Sequence, residues 1–178
     1  MQFDYIIIGA GSAGCVLANR LTNNNQNKVA LFEAGAPSDI WKVKMPLALL
    51  YTMHDPKYNW KYYSEPEPHL NNRRLFCPRG KMIGGSSAHN GMVFVRGNRN
   101  DYERWESSGL KSWSYDKVLS YFKKIENWSE GENQYRGSLG LLPVNLSKNN
   151  NPLFRAFLDA ASEAGHKINP DMNGEYQE

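Results

Sequence analysis

The feature that most constrains this sequence is a glycine-rich segment between an apolar strand and an apolar helix. Residues 9–14 read Gly-Ala-Gly-Ser-Ala-Gly and follow the β-branched and aromatic run Phe3–Ile8, which is typical of a short buried parallel strand. Apolar residues recur at helical spacing from Ser12 to Leu21, and a second apolar strand is predicted at Val29–Phe32. The chain should therefore open as strand, glycine turn, helix and strand.

This arrangement fits the binding of an adenine dinucleotide. Gly9 permits the tight turn, Gly11 lets the backbone approach a pyrophosphate, and Gly14 lets the helix pack closely on the strand. Glu33 falls 19 residues after Gly14, at the end of the second strand. A carboxylate there can accept hydrogen bonds from both hydroxyls of an adenosine ribose. The motif does not choose between NAD and FAD.

Composition excludes several other classes of protein. The 178 residues include 40% hydrophobic residues and carry a net charge of +3, which suits one globular domain with an ordinary core and does not indicate a nucleic-acid binder. The stretch Tyr5–Ala18 holds three glycines and is too short to cross a membrane. Asp4 precedes this stretch and no Lys or Arg does, so the stretch also lacks the positively charged flank of a secretory leader.

The two cysteines, Cys15 and Cys77, are expected to be reduced thiols, the first in a helix and the second in a loop. No metal site is expected at either of them.

A second glycine-rich segment, residues 80–91, follows a proline-rich stretch from Pro37 to Lys81 that predicts no long helix or central strand. It contains four glycines, two serines and one histidine, so its backbone N–H groups can lie flat against a large ligand. We call it the glycine strip. Arg79 and Lys81 suit a diphosphate, whereas Arg73 and Arg74 fit a solvated basic face equally well.

Later parts of the chain predict helices that begin at capping residues. Asn100 is expected to cap a short helix, Ser114 a helix that runs to Ile125, and Asn151 a helix with Pro152 in its first turn and Gly165 as terminator. The five tryptophans are expected in the core. The histidines other than His89 are expected to be surface or structural residues.

Two segments also resemble a known family. Residues 4–15 are similar to the FAD-binding start of the glucose-methanol-choline (GMC) oxidoreductases, and Arg79–Asn90, continuing to Trp105, resembles the first signature of that family. Further matches are Asn59-Trp60, Pro152-Leu153 and residues 173–177. The resemblance spans nearly the whole chain. Within the family, the sequence most resembles choline-dehydrogenase-like and medium-chain alcohol dehydrogenases.

The resemblance implies FAD as cofactor and an α/β, Rossmann-like FAD-binding fold of GMC type that is incomplete in this chain. It implies an FAD-binding part over residues 1–145, with a flavin-attachment loop at about 70–105, and the start of a substrate-binding region over residues 146–178. Such enzymes oxidise choline or another primary alcohol by passing a hydride to flavin N5. Oxygen or a quinone then takes the electrons.

The resemblance also implies roles for individual residues. The first glycine turn (residues 9–14) holds the diphosphate, Glu33 the ribose, and residues 79–85 lie along the cofactor; Ser87 and residues 89–93 approach the flavin. The cofactor-binding residues implied are Gly9, Gly11, Ser12, Ala13, Gly14, Glu33, Ala34, Trp60, Arg79, Gly80, Met82, Gly84, Gly85, Ser87, His89, Asn90, Gly91 and Val93. Most members carry an aliphatic residue in place of His89, but one has a histidine bonded to the flavin 8α-methyl. His89 either tethers FAD or packs beside it.

The catalytic histidine of the family belongs to a C-terminal segment without a counterpart here, so no catalytic residue is assigned. The chain alone is expected to be poorly soluble and inactive. An NAD-dependent dehydrogenase, or a non-catalytic half that pairs with a separately encoded C-terminal half, stays an alternative. The expected partners are an alcohol and an electron acceptor, without nucleic acid, in the cytoplasm or on the inner face of the membrane.

Overall fold

The structure, a computed structural model, describes residues 2–147 and 150–177. The chain divides into two compact units, Met1–Val93 and Phe94–Glu178. The boundary predicted after residue 145 is a different one: it separates the predicted FAD-binding part from the predicted substrate-binding region. That boundary stays a prediction. Lys148, Asn149 and Glu178, which fall in the predicted substrate-binding region, lie outside the described residues.

The first unit opens with the predicted strand, turn, helix and strand, which have the bounds β1 Tyr5–Ile8, α1 Ser12–Thr22 and β2 Val29–Phe32. The two strands are parallel, with Tyr5 opposite Val29, so α1 is the crossover of a β-α-β unit. The prediction is confirmed except at the start of β1. Asp4 precedes the strand: its N–H donates to the Lys28 oxygen at 2.9 Å, and its carboxylate accepts the N–H of Lys28 at 2.7 Å.

The remainder of the first unit consists of short elements, as its prolines predict. They are α2 Trp41–Lys44, α3 Leu49–His54, β3 Tyr62–Tyr63, β4 Phe76–Cys77 and the 3₁₀ turns Pro46–Ala48, Pro68–Leu70 and Gly85–Ala88. Strands β3 and β4 are antiparallel. The loop predicted around Cys77 is wrong, because Cys77 pairs with Tyr62 in this ladder; Pro78 ends the strand immediately afterwards.

The second unit is built from three helices and a short parallel strand pair. Its elements are α4 Arg99–Ser107, the 3₁₀ turn Lys111–Trp113, α5 Tyr115–Ile125, β5 Glu126–Trp128, β6 Leu142–Val144 and α6 Pro152–Glu163. The caps predicted at Ser114 and Asn151 are at their helix starts. The cap predicted at Asn100 is wrong: Asn98 is the cap, because its side chain accepts the N–H of Asn100.

A buried charge network replaces part of the apolar core in the second unit. Glu126 is fully buried and lies 2.5 Å from Arg96 Nη2 and 3.4 Å from Arg136 Nη2. Arg136 also contacts Asp171 at 3.2 Å, and its guanidinium lies 3.8 Å from the centre of the Trp128 ring. Two buried cations therefore share one buried carboxylate, which makes this carboxylate essential to the packing of the unit.

Many of the large apolar side chains are exposed. Ile8 is 81% exposed in β1, and Phe157 is 69% exposed in α6. Trp128 is buried, but the core position predicted for the other four tryptophans is wrong, since Trp41, Trp60, Trp105 and Trp113 are 42–61% exposed. The described residues cover these side chains only in part. Among the described residues no helix has the length and apolar character to cross a membrane.

Candidate cofactor-binding site

The first glycine turn joins β1 to α1 so closely that a side chain at Gly14 would not fit. A Cβ on Gly14 would lie 2.0 Å from the carbonyl oxygen of Gly9, and Gly9 itself has φ +92°. A Cβ on Gly11, in contrast, would meet no atom within 4 Å. No side chain caps α1 among the described residues. The start of α1 therefore presents backbone N–H groups to open space, which suits a diphosphate.

Glu33 braces the turn from the end of β2. Its two carboxylate oxygens accept the backbone N–H of Ala10 and that of Gly35, each at 2.8 Å. Because Ala10 is 1% exposed, its N–H would otherwise be a buried donor without a partner. A carboxylate has about four acceptor sites, so Glu33 can accept further hydrogen bonds. The role predicted at the ribose is compatible with these bonds and stays a prediction.

The glycine strip lies directly against the first glycine turn. The N–H of Gly84 donates to the carbonyl oxygen of Ala10 at 2.7 Å. A Cβ on Gly85 would stand 2.9 Å from Gly11 Cα, and Gly85 has φ +55°. The same Ala10 oxygen accepts the thiol of Cys15 at 3.2 Å, which ties α1 to the junction. The two glycine segments are thus in direct backbone contact, although Gly84 lies 74 positions after Ala10 in the sequence.

The strip is also attached to the segment that follows β2. Met82, which is fully buried, pairs with Ala36 in a parallel bridge, and the N–H of Ile83 donates to the Ala36 oxygen at 3.2 Å. A Cβ on Gly35 would lie 2.0 Å from the Lys81 oxygen. The strip therefore passes close to the residues next to Glu33, and the two glycine segments and Glu33 form one continuous backbone surface.

On its other side the strip pairs with residues 58–60. The N–H of Trp60 donates to the Arg79 oxygen at 2.9 Å, and the N–H of Lys81 donates to the Tyr58 oxygen at 2.8 Å. The Trp60 ring stacks on Tyr62, with ring centres 6.0 Å apart, and the Lys81 ammonium lies 4.7 Å from the centre of the indole. The exposed Trp60 and the half-buried Lys81 thus form an aromatic and cationic pair at the start of the strip.

His89 is a buried histidine at the end of the 3₁₀ turn of the strip. It is 7% exposed, and its Nδ1 atom is buried without a hydrogen-bond partner among the described residues. Burial lowers the pKa of His89 below its ordinary value, because the charged imidazolium loses hydration. The ring is therefore neutral at neutral pH. The segment after it is irregular and exposed, with Met92 at φ +58° and Val93 82% exposed.

Other cationic residues of this region have different partners. Arg74 pairs with Glu65 at 3.4 Å, and the Nε of Arg73 donates to the Leu70 oxygen at 3.3 Å. Both side chains are exposed, which favours a solvated face over a diphosphate site. The Arg79 guanidinium donates to the adjacent Pro78 oxygen at 2.7 Å. Among the described residues no cluster of His, Cys, Asp or Glu could hold a metal ion.

A cavity of the first unit does not coincide with the glycine segments. It has a volume of about 790 Å³ and lies along the 3₁₀ turn Pro46–Ala48 and α3, where Met45, Leu50 and Tyr51 are among its lining residues. None of the predicted cofactor residues lines it. The backbone surface described above is open rather than enclosed, so the chemistry of its N–H groups and glycines, not a cavity, identifies it.

The sequence reasoning missed three residues that shape this surface. Ala36 pairs with the strip, Ser86 accepts the N–H of Gly80 at 3.1 Å, and Asn59 accepts the N–H of Arg79 at 2.9 Å. The Asn59-Trp60 dipeptide was a visible match to the family, but no spacing rule relates it to Arg79. For Ala36 no sequence signal existed.

Comparison with known proteins decides the family. Residues 3–178 match the family described as GMC oxidoreductase. The chain belongs to the GMC oxidoreductase family. Its α/β fold is accordingly the Rossmann-like fold of that family, present here in part.

Curated GMC relatives are much longer than this chain. The oxygen-dependent choline dehydrogenase of Sinorhizobium fredii is 51% identical over 178 residues, which are 100% of this chain and 32% of that protein. The mitochondrial choline dehydrogenase of Mus musculus is 46% identical over 185 residues, covering 99% of this chain and 31% of that protein. The chain therefore spans about a third of the length of these GMC proteins.

Solved GMC structures share the backbone described above. The crystal structure of pyridoxine 4-oxidase from Mesorbium loti has a TM-score of 0.83 at 34% identity and covers 91% of this chain and 32% of that one. The crystal structure of formate oxidase has a TM-score of 0.84 at 27% identity and covers 97% of this chain and 32% of that one. The order of elements seen here therefore recurs in solved members of the family.

Proposed function

We propose that this chain forms the FAD-binding part of a flavoenzyme that oxidises the CH–OH group of an alcohol. The hydrogen bond between Gly84 and Ala10 carries the proposal, because it makes one continuous surface from the first glycine turn and the glycine strip. A dinucleotide is long enough to need two such segments, and a nucleotide bound at the turn alone would leave the strip without a role. Membership of the GMC family supports FAD as the dinucleotide.

The residues present fit FAD. The open space at Gly11 and the uncapped start of α1 suit the diphosphate, and Glu33 has acceptor sites left for the ribose. The strip would run beside the remainder of the cofactor, with its glycines allowing close backbone approach. When bound, FAD supplies the acceptor for a hydride from the alcohol carbon. The part played by this chain is to hold and orient that acceptor.

The alcohol is proposed to be choline or another primary alcohol. Relatives from bacteria and mouse carry the name choline dehydrogenase, and this chain is about half identical to them over its full length. The bacterial relative is named oxygen-dependent, which supports oxygen as the electron acceptor, with a quinone as the alternative. A cytoplasmic location, with or without peripheral contact on the inner face of the membrane, stays a prediction that cell fractionation tests.

We also propose that His89 faces the flavin side of the cofactor. Its buried Nδ1 without a described partner and its neutral ring suit either contact or attachment. Attachment would form a bond between a ring nitrogen and the flavin 8-methyl carbon, with loss of one methyl proton and the imidazole proton. The two electrons would pass through the flavin to oxygen or a quinone. Acid precipitation of the FAD-loaded full-length enzyme tests this: yellow colour in the pellet supports attachment, and colour only in the supernatant excludes it.

The proposed function is tested by titrating the purified chain separately with FAD and NAD and following flavin fluorescence and equilibrium dialysis. FAD should bind, and NAD should bind far more weakly. Saturable binding of NAD without FAD would replace the proposal by an NAD-dependent dehydrogenase. Alcohol oxidation with a dye acceptor is expected only after the chain is joined to the C-terminal two thirds of the Sinorhizobium relative, because a general base must lie within hydrogen-bond reach of the alcohol.

A further inference from the structure

The side chain of Asn59 connects three separate segments of the first unit. It is 2% exposed, and its Oδ1 accepts the N–H of Lys61 at 2.8 Å and the N–H of Arg79 at 2.9 Å. Its Nδ2 donates to the carbonyl oxygen of Met53. One carboxamide thus joins α3, the chain before β3 and the residue that precedes the glycine strip. A buried side chain with three hydrogen bonds is held in one position.

The position of Asn59 matters because of the residue opposite it. Asn59 faces Gly80 in an antiparallel bridge, and the hydrogen bonds from Trp60 to Arg79 and from Lys81 to Tyr58 lie on either side. Gly80 is packed so tightly that a Cβ would stand 2.2 Å from the Gly85 oxygen. The pairing of residues 58–60 with residues 79–81 therefore sets the position of Gly85, the residue that lies against Gly11.

A backbone ladder of this length does not fix its own register. The two hydrogen bonds that flank the bridge select the register only weakly, since backbone groups are alike at every neighbouring residue except Pro78, which has no N–H. The bond from the Arg79 N–H to the Asn59 side chain distinguishes the observed register from shifted ones. The second bond, to the Lys61 N–H, is an Asx turn that holds Lys61 at φ +55°.

We propose that Asn59 is a positioning residue for the flavin half of the dinucleotide site: by binding the Arg79 N–H it holds the glycine strip in register against the first glycine turn. This inference rests on the proposed function. It also predicts a selective effect. The adenosine diphosphate half of FAD uses the first glycine turn and Glu33, whereas the flavin half uses the strip. Loss of the Asn59 bonds should therefore weaken FAD without weakening ADP.

The experiment compares dissociation constants for FAD and ADP, measured by equilibrium dialysis on the chain joined to the C-terminal two thirds of the Sinorhizobium relative, because the chain alone is expected to be poorly soluble. Asn59→Leu removes all three hydrogen bonds. Asn59→Ser keeps a polar side chain at this buried position, but that side chain is too short to accept the N–H of Arg79. We expect either variant to lose about tenfold or more in FAD affinity, equivalent to one or two net hydrogen bonds. ADP affinity should change less than about twofold. Asn59→Asp keeps both acceptor bonds but sets a buried carboxylate oxygen against the Met53 carbonyl, so it should recover only part of the affinity for FAD.

Asn27→Leu is the matched control, because Asn27 is an asparagine of the same unit whose side chain donates to the Leu21 oxygen at 2.8 Å, away from the strip. It should leave the ratio of FAD to ADP affinity unchanged. If Asn59→Leu and Asn59→Ser weaken both ligands equally, or neither, while the unmodified chain prefers FAD, the positioning role is excluded. If the unmodified protein binds FAD no more tightly than ADP, or binds neither ligand, the proposed function itself fails.

Discussion

Gly85 and Gly11 face each other across the junction of the two glycine segments, with a clearance of 2.9 Å between Gly11 Cα and the place where a Gly85 Cβ would stand. A side chain on Gly85 would push the strip away from the turn, whereas a Cβ on Gly11 would meet no atom within 4 Å. Glycine at position 85 is therefore a requirement of the junction itself, in addition to any requirement of a ligand.

Substitution of Gly85 by alanine should open this junction. The added methyl group collides with the backbone of Gly11, and φ +55° costs a residue with a Cβ about 1 kcal/mol or more. We expect the free energy of unfolding to fall by about 1–3 kcal/mol and FAD binding to be lost. Urea unfolding and FAD titration measure the two effects. Gly131→Ala is the control, since Gly131 has φ +88° but open space around it. Equal losses in both variants would contradict a specific junction.

Substitution of Glu33 by glutamine should weaken both halves of the site together. A carboxamide has one acceptor oxygen, so only one of the N–H groups of Ala10 and Gly35 keeps its partner. We expect FAD and ADP affinities to fall in parallel, by about tenfold, unlike the selective effect predicted for Asn59. Equilibrium dialysis with both ligands checks this. The exposed Glu130→Gln should change neither, and unchanged ADP affinity in Glu33→Gln would contradict the role of Glu33.

The sequence predicted the β-α-β opening well and the contacts of the strip poorly, for a physical reason. The glycine turn and α1 are determined by local periodicity and by residues within about 25 positions of each other. The pairing of Met82 with Ala36 and the bonds of Asn59 depend on which distant backbone groups meet. Local patterns do not encode such pairings. The same limit applies to the cap of α4: Asn98 and Asn100 are both asparagines, and the one that caps is Asn98, whose backbone is still extended at ψ 146°.

The buried carboxylate of Glu126 should dominate the stability of the second unit. Glu126→Gln leaves Arg96 buried without the carboxylate of its pair and Arg136 with Asp171 alone, and removal of one partner from such a network costs about 3–5 kcal/mol. Urea unfolding followed by the fluorescence of Trp128, which lies under Arg136, measures the loss. Arg155→Ala, which breaks the exposed pair with Asp159, should cost less than about 1 kcal/mol. Similar losses in the two variants would contradict the network.

Burial of His89 should make the chain less stable in mild acid. Because burial lowers the pKa of His89 in the folded chain, the unfolded chain binds a proton that the folded chain does not. Stability is therefore lost as the pH falls below about 6.5 towards the folded pKa. In His89→Leu this part of the pH dependence should vanish, whereas Thr52→Val, at a buried site that does not titrate, should retain it. Urea midpoints at several pH values between neutral and mildly acidic test this. Identical slopes in His89→Leu and the unmodified chain would contradict it.

The bond between Gly84 and Ala10 also has a consequence for biosynthesis. Residues 1–32 can build the β-α-β unit as soon as they leave the ribosome, because their contacts are local. The glycine strip is translated some fifty residues later. The proposed cofactor site therefore stays incomplete until the strip has left the ribosome. A nascent chain halted before residue 80 should therefore be unable to capture FAD, and one halted well beyond it should capture the cofactor during translation.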